Sequence, residues 1–526
     1  MSIGLGTHIQ RAARRHPDKA ALIDHGEVFS YADFNERTDR LANGLMALGL
    51  TAGERVAVLM DNAHEPIEVF AAAMKAGFTH VPLNSRLTPA ETADLFRDSG
   101  AVALIADQAH VPVIEKARAD MPDLRHLITT SAGGAGPSGS VDFEALIAAA
   151  SPVPPQYARS DSRAFIIYTS GTTGHAKGVT TTQQEILNQA YTAILPEYGF
   201  TPASRLLALY PHSSAASTNC AFGPTWILGA TLIVDDVQHF TAERFLSNVE
   251  RYQVTHATAV PTMLVRILRH VEEAGLTHDI SSLARIAYGS APIAPSVTAK
   301  LVETFGPIFM QVYGMTEVSG ICCTLRTDEH DASSETGMAR LRSCGKPVPG
   351  AEVEVVSEDG SVCVPGQVGE VRIRSDFLMN EYWQDPERTA QTLRDGWLYS
   401  GDIGRTDENG YVYIVDRKKD LIISGGQNII SKEIEDALYE YPGVLEAAAI
   451  GIPDAEWGER VHAFVSFTDG HTSSATELQA FLTGRLASFK RPRAIDIVPA
   501  LPKNSVGKIA KSQLREPFWK ESGRNV

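Results

Sequence analysis

The chain has 526 residues, 44% of them hydrophobic and 21% charged, and a formal net charge of −16. That composition is globular, which excludes a disordered or fibrous protein, and the length suggests roughly two to four domains or subdomains. The negative charge opposes nonspecific binding to nucleic acid or to an anionic membrane, both of which need basic patches. Five cysteines (Cys220, Cys322, Cys323, Cys344 and Cys363) form no C-x-x-C pair and fit a reducing compartment better than a disulfide framework or a metal cluster. The N-terminal stretch has no long apolar core and no apolar run reaches about 18 residues, so neither a signal peptide nor a membrane span is expected. A soluble cytoplasmic protein is the expectation.

Taken in chain order, short apolar runs alternate with helical patterns. Strands are predicted at 55–60, 80–84, 101–107, 165–170, 231–236, 284–290 and 309–314, and helices at 64–76, 183–194, 241–252 and 295–305. Strand–helix alternation predicts an α/β protein, with a large N-terminal domain of helix-covered, parallel-type sheets. From about residue 340 the pattern changes to short alternating strands, AEVEVV, GEVRIR and YVYIVD, separated by Gly and Asp turns. These predict a small β-rich subdomain over about 340–416. Beyond 420 come a helix near 432–440, strands in LEAAAIGI and HAFVSF, a helix near 475–487 and the strand AIDIV, which together predict a small α+β domain. Residues 131–140 and 151–162 have loop compositions.

Four segments carry chemistry. In Tyr168-Thr-Ser-Gly-Thr-Thr-Gly-His-Ala-Lys-Gly178, placed after a strand and read as leading into a helix, three glycines let backbone approach a phosphate. Hydroxyls and Lys177 supply donors and a positive charge. It is not a Walker loop, because Ala176 stands where the second glycine belongs. In Gln311-Val-Tyr-Gly-Met-Thr-Glu317 a strand end delivers a hydroxyl and a carboxylate suited to a phosphate oxygen and Mg²⁺, although Thr-Glu after Gly also opens ordinary helices. Tyr399-Ser-Gly-Asp402 offers an acceptor-only carboxylate for a ribose, or simply a turn aspartate. Pro502-Lys-Asn-Ser-Val-Gly-Lys508 alone reads as readily as a solvated tail.

In this order and combination the four segments resemble the adenylate-forming superfamily of acyl- and aryl-CoA synthetases, peptide-synthetase adenylation domains and luciferases. The resemblance runs from about residue 10 to 512. It extends to Tyr288-Gly-Ser-Ala-Pro292, Gly369-Glu370, Trp397, Asp416-Arg417, Glu433 and Asp454–Glu459. Leu421–Ile429 looks like the bacterial acyl- and aryl-CoA ligase branch, and Ile423 stands where luciferase-like members carry a lysine.

The resemblance implies an N-terminal domain over 1–416 that binds AMP and the acyl substrate, a hinge at 417–419 and a mobile C-terminal domain over 420–526. It implies ATP, Mg²⁺ and CoA as reactants of a two-step reaction. A small carboxylic acid is joined to AMP with release of pyrophosphate, and the acyl group then passes to a thiol. Lys508 would bridge the acid and the α-phosphate, and Glu317 would hold Mg²⁺. Thr169, Ser170, Thr172, Thr173 and Lys177 would hold the β- and γ-phosphates, Thr316 would contact the α-phosphate, and Gly171, Gly174 and Gly314 would belong to the same ATP/AMP site. Gly289, Ser290, Ala291 and Tyr313 would frame adenine, and Asp402 and Arg417 the ribose. Lys419 matches the hinge position, and Gly425 and Gly426 would line a pantetheine tunnel. His212 matches a gate at the carboxylate site, within an acyl pocket that would include Tyr210, Ser213, Asn219, Val260 and Tyr288.

The chain departs from the family pattern at Ala176, Leu209 and Ala215, and Glu381 occupies a usual glycine position. The segment Ser213–Asn219 is small and polar. If those groups line the pocket they penalise a long alkyl chain and favour an aromatic or functionalised medium-sized acid. If they bond one another away from the pocket, the preference lapses. The adenylation motifs leave the acceptor open: CoA, or a carrier protein acting in trans, an amine or another nucleophile. Oligomeric state cannot be read from the sequence. A nucleotide-binding protein that no longer catalyses fits poorly with Lys508, Glu317 and Asp402 all present.

Overall fold

A computed structural model of the chain describes residues 3–130, 136–169, 176–291, 293–417, 420–424, 427–454, 457–468, 470–503 and 509–520. The chain forms two compact units, Met1–Glu352 with Ile373–Leu398, and Val353–Arg372 with Tyr399–Val526. Among the described residues no helix is long and apolar enough to cross a membrane. All five cysteines are free and buried.

The first unit holds two large sheets. In the eight-stranded sheet the strands Thr79–Leu83, Arg55–Leu59, Ala103–Asp107 and His126–Thr130 run parallel. In the nine-stranded sheet Ala20–Asp24, Thr231–Val234, Arg205–Ala208, His256–Ala259, Arg285–Gly289 and Phe309–Tyr313 do the same. Parallel strands buried on both faces must be apolar throughout, which is why they are legible as short apolar runs. The expected α/β architecture is present.

Helix His64–Ala76 is buried along Pro66–Lys75 and contributes to the main apolar core. Its buried Lys75 is satisfied by the Asn35 carbonyl, Asn35 Oδ1 and Asp39 Oδ1 at 2.8–3.0 Å. Rings of Phe34, Phe70, Phe222 and Trp226, contributed by three helices and a π-helical turn, pack with centroids 5.7–6.1 Å apart. Burial of each such ring contributes roughly 1.5–3 kcal/mol. Helix Gln183–Gln189 starts in a capping box between Thr182 and Glu185 and continues as a π turn over Ala190–Ile194.

The stretch expected to be β-rich contains strands Ala351–Val356, Gly369–Ser375 and Trp397–Thr406 as neighbours, with Val412–Arg417 antiparallel to Trp397–Thr406. Further along, Gly458–Phe467 pairs antiparallel with Val444–Asp454 and parallel with Ala494–Ile497, and helices Ser431–Tyr439 and Ala475–Leu482 contribute to the same core. The latter helix stops five residues before the predicted 487. Thr483 turns extended and Gly484 takes a left-handed φ of 95°.

Candidate active site

The segment expected to bind phosphate differs locally from the strand-to-helix reading. Strand Arg163–Thr169 is followed by a second strand, Lys177–Thr182, antiparallel to it, with Thr169 opposite Lys177; the helix begins only at Gln183. The β-branched run Val179-Thr-Thr-Thr182 favours a strand. Lys177 therefore projects from rigid sheet. Thr169 Oγ1 is buried without a hydrogen-bond partner among the described residues, so a donor is left over beside the loop. Ser170, Gly171, Thr172, Thr173 and Gly174 lie outside the described residues.

Lys177 Nζ donates to Glu317 Oε1 at 2.5 Å and to Tyr382 Oη at 2.7 Å, and Tyr382 Oη donates to the same Glu317 oxygen at 3.0 Å. The ammonium also sits 4.5 Å from the centre of the Tyr382 ring. Tyr382 arrives on the edge strand Glu381–Tyr382, which pairs with Val179 and Thr180. Glu381 beside it is paired with Arg163 at 3.1 Å, which accounts for a carboxylate at a position where glycine is usual.

Glu317 is buried in a 3₁₀ turn, Thr316–Val318, that follows strand Phe309–Tyr313. Three bonds hold that turn. Gln189 Nε2 donates to the Val318 carbonyl at 2.8 Å, Asn219 Nδ2 to the Ser319 carbonyl at 2.7 Å, and the Met379 amide to the Glu317 carbonyl at 2.8 Å. Gly314 is required by a close approach, because a Cβ there would lie 1.8 Å from the Gly320 carbonyl oxygen. The donors are a carboxylate and the Thr316 hydroxyl, oxygen only, which fits a hard cation such as Mg²⁺. One carboxylate leaves most of the coordination sphere to water and phosphate, as Mg²⁺ prefers.

His212 is buried, and neither ring nitrogen has a hydrogen-bond partner among the described residues. Its ring meets Phe222 edge-on at 5.1 Å. Burial lowers its pKa to about 3. The charge of Asp24 and the Ala63 backbone oppose this without outweighing it. The imidazole is thus a neutral wall at ordinary pH. Tyr210 Oη donates to the Ala259 carbonyl at 3.2 Å. Tyr288 is fully buried, with its hydroxyl 3.0 Å from His330 Nε2, and Val260 packs against the apolar cluster that contains Tyr288.

The polar run beside them bonds to itself and to backbone. Ser214 and Ser217 return to the Pro211 carbonyl, Thr218 bonds Asn219 Oδ1 at 3.0 Å, and Asn219 holds Ser319. Ser213 is half-buried. Thr218–Phe222 forms a second π turn, a feature frequent at functional sites. Burial also pushes the Cys220 thiol up to about 12, so it stays protonated.

Gly289 ends strand Arg285–Gly289 opposite Val312; Ser290 follows with a left-handed φ of 71° and Ala291 is exposed. Tyr313 ends the adjacent strand half-buried. In the second unit Asp402 is buried opposite Arg417 in register, and Arg417 Nε lies 3.5 Å from Asp402 Oδ1. Lys419, Gly425, Gly426 and Lys508 lie outside the described residues.

Comparison with known proteins gives the family. The model of the AMP-binding enzyme family matches residues 9–383, and that of the AMP-binding enzyme C-terminal domain matches 433–508. The chain belongs to the AMP-binding enzyme family. It is an adenylate-forming enzyme of the AMP-forming acid–thiol ligase class. A feruloyl-CoA synthase of an Amycolatopsis species is 36% identical over 98% of the chain and 99% of the relative. A fatty acid–[acyl-carrier-protein] ligase of Streptomyces coeruleorubidus is 32% identical over 98% and 96%. Among solved structures, an anthranilate CoA ligase in complex with anthranoyl-AMP superposes with a TM-score of 0.88 at 26% identity, covering 100% of the chain and 99% of the neighbour.

Three residues of this adenylate-forming enzyme escape a reading of the sequence: Tyr382, Gln189 and Asn62. Tyr382 sits in a two-residue strand with no periodicity to mark it. Gln189 is a helix-end amide whose partners lie 129 and 132 residues away. Asn62 is a turn asparagine like many others. Its amide bonds the Tyr210 carbonyl at 2.9 Å and the His212 amide at 2.8 Å.

Proposed function

We propose that the enzyme activates a carboxylic acid with Mg·ATP, releases pyrophosphate and passes the acyl group from acyl-AMP to CoA, in a reducing, cytoplasmic setting. The observation that carries the first step is the convergence of Lys177, Glu317 and Tyr382 beside the phosphate-binding hairpin. Lys177 and Thr169, with Ser170, Thr172 and Thr173, hold the pyrophosphate as it departs. Glu317 would hold Mg²⁺, which when bound would neutralise phosphate charge. Thr316 contacts the α-phosphate, and Asp402 and Arg417 bind the ribose hydroxyls. Gly289, Ser290, Ala291 and Tyr313 border adenine. A carboxylate attacking an anionic phosphate faces repulsion, and Lys508 offsets it by bridging the two as charge shifts. Rotation about Lys419 then removes Lys508 and brings Gly425–Gly426 beside the incoming pantetheine thiol.

The acid is proposed to be aromatic or functionalised and of medium size. The feruloyl-CoA synthase and the anthranilate CoA ligase support this. The polarity of Ser213–Asn219 supports it less, because the polar groups of Ser217, Thr218 and Asn219 already have partners. A carrier-protein thiol is the second reading of the acceptor, supported by the Streptomyces relative.

The test is acid-dependent ATP–pyrophosphate exchange over benzoate, anthranilate, ferulate, octanoate and palmitate, with mass spectrometry of products with and without CoA. A CoA thioester of an aryl acid, at the highest kcat/KM, is expected. Palmitate as best substrate would overturn the acid class, and exchange without thioester would overturn CoA as acceptor.

A further inference from the structure

Asn62 lies in the turn between strand Arg55–Leu59 of the eight-stranded sheet and helix His64–Ala76. Its side chain reaches the loop Tyr210–His212, which leaves strand Arg205–Ala208 of the other large sheet. Nδ2 donates to the Tyr210 carbonyl at 2.9 Å and Oδ1 accepts from the His212 amide at 2.8 Å. Because one partner can only accept and the other only donate, the two ends of the amide are distinguished. A two-point bond of this kind fixes both the position and the tilt of the loop backbone.

A second tie joins the same turn to the nine-stranded sheet. Asp24, at the end of strand Ala20–Asp24, accepts from the His64 amide at 2.9 Å and lies 3.0 Å from His64 Nδ1. The turn 62–64 is therefore fastened to both the loop and the sheet from which the loop springs. The His212 ring has no such fastening. Its nitrogens are unpartnered among the described residues, and Phe222 meets it edge-on. The pose of the buried ring is set by its own backbone and by packing that includes Phe222, and the Tyr210–His212 backbone is held by Asn62.

We propose that Asn62 is a positioning residue of the acid site: its amide holds the Tyr210–His212 backbone so that His212 presents its ring to the incoming carboxylic acid. This rests on the reading of His212 as the residue that fronts the acid.

The test is a double-substitution cycle with Asn62→Ala and His212→Ala, assayed by ATP–pyrophosphate exchange with ferulate and benzoate, alongside thermal unfolding of each variant. Loss of two hydrogen bonds that orient one group predicts about a tenfold rise in KM for the acid with Asn62→Ala, with KM for ATP within about twofold. In the His212→Ala background the same substitution is expected to change the acid KM by less than about twofold, because it acts through the ring already removed. Asn62→Asp keeps the shape and the bond to the His212 amide while setting a carboxylate against the Tyr210 carbonyl. It is expected to raise the acid KM as well, and it serves if the alanine variant fails to fold. An unchanged acid KM in the Asn62 variants, an equal rise in the KM for ATP, or an undiminished effect in the His212→Ala background overturns the positioning role alone. An unchanged acid KM in His212→Ala by itself overturns the reading of His212, and the inference with it.

Discussion

Lys177 and Glu317, 140 residues apart in sequence, form a 2.5 Å ion pair that a single phenol, Tyr382, bonds at both ends. The two side chains thus neutralise one another, and in the proposed roles phosphate and Mg²⁺ would each replace one partner of the pair. Glu317→Gln is expected to raise the Mg²⁺ concentration for half-maximal ATP–pyrophosphate exchange by at least about tenfold, since a single charge–metal contact is lost. Tyr382→Phe keeps the ring beneath Lys177 and removes the hydroxyl. About 1 kcal/mol of stability and a few-fold shift in the same Mg²⁺ dependence should go with it. A titration of exchange against Mg²⁺ checks both, and equal loss of rate at every Mg²⁺ concentration would contradict the assignment.

Gly314→Ala should damage the site more than either. The added methyl would stand 1.8 Å from the Gly320 carbonyl oxygen, which is backbone and cannot swing aside. The turn carrying Thr316 and Glu317 must then shift, and misplacement by about 1 Å costs on the order of 100-fold in rate. Exchange activity at saturating ATP and Mg²⁺ measures it. Activity within threefold of the parent would show that the turn tolerates the displacement.

Much of this architecture is legible in the residues. Parallel strands such as Arg55–Leu59 and Arg285–Gly289 are buried on both faces, so the sequence marks them as apolar runs. The position of Glu317 after a strand end follows from the same signal. Other features depend on partners that the local sequence does not name. Lys177–Thr182 is a strand because it pairs with Arg163–Thr169, although its β-branched residues carried that signal. The polarity of Ser213–Asn219 is visible, but the destinations of its hydrogen bonds are not; they turn back to Pro211, Asn219 and Ser319. Asn62 and Tyr382 act across 150 and 205 residues, distances over which no periodicity speaks.

The proposed role of Lys508 separates the two half-reactions. If it serves adenylation alone, Lys508→Ala should abolish formation of acyl-AMP and leave transfer from supplied acyl-AMP to CoA within about threefold of the parent. The expected first effect is a loss of about 100-fold or more, as for removal of one group that stabilises transition-state charge. Single-turnover assays of each step decide between this and equal loss in both, which would contradict the proposed alternation about Lys419.

Stability should peak near pH 6.5, because the buried His80 and His212 and the half-buried His64 titrate in opposite directions. Burial holds His80 and His212 at about 3, and both rings are neutral in the folded enzyme. Below the ordinary histidine value of about 6.5 the unfolded chain takes up these protons and the folded one does not. Each ring then removes up to about 1.4 kcal/mol of stability per pH unit as acid is added. His64 behaves in the reverse sense. Burial pulls its pKa down, but the hydrogen bond to Asp24 and the charges of Glu65 and Glu68 outweigh it and raise the pKa to about 8. Its contribution of roughly 2 kcal/mol is fully present below pH 6.5 and is lost as pH rises through 8. Urea unfolding at pH 5, 7 and 9 measures the profile. His64→Gln should flatten the alkaline limb and leave the acid one, whereas His80→Gln should make the acid limb shallower, with His212 still contributing, and leave the alkaline one. A stability that does not fall between pH 7 and 9 in the parent enzyme would contradict the charged His64–Asp24 pair.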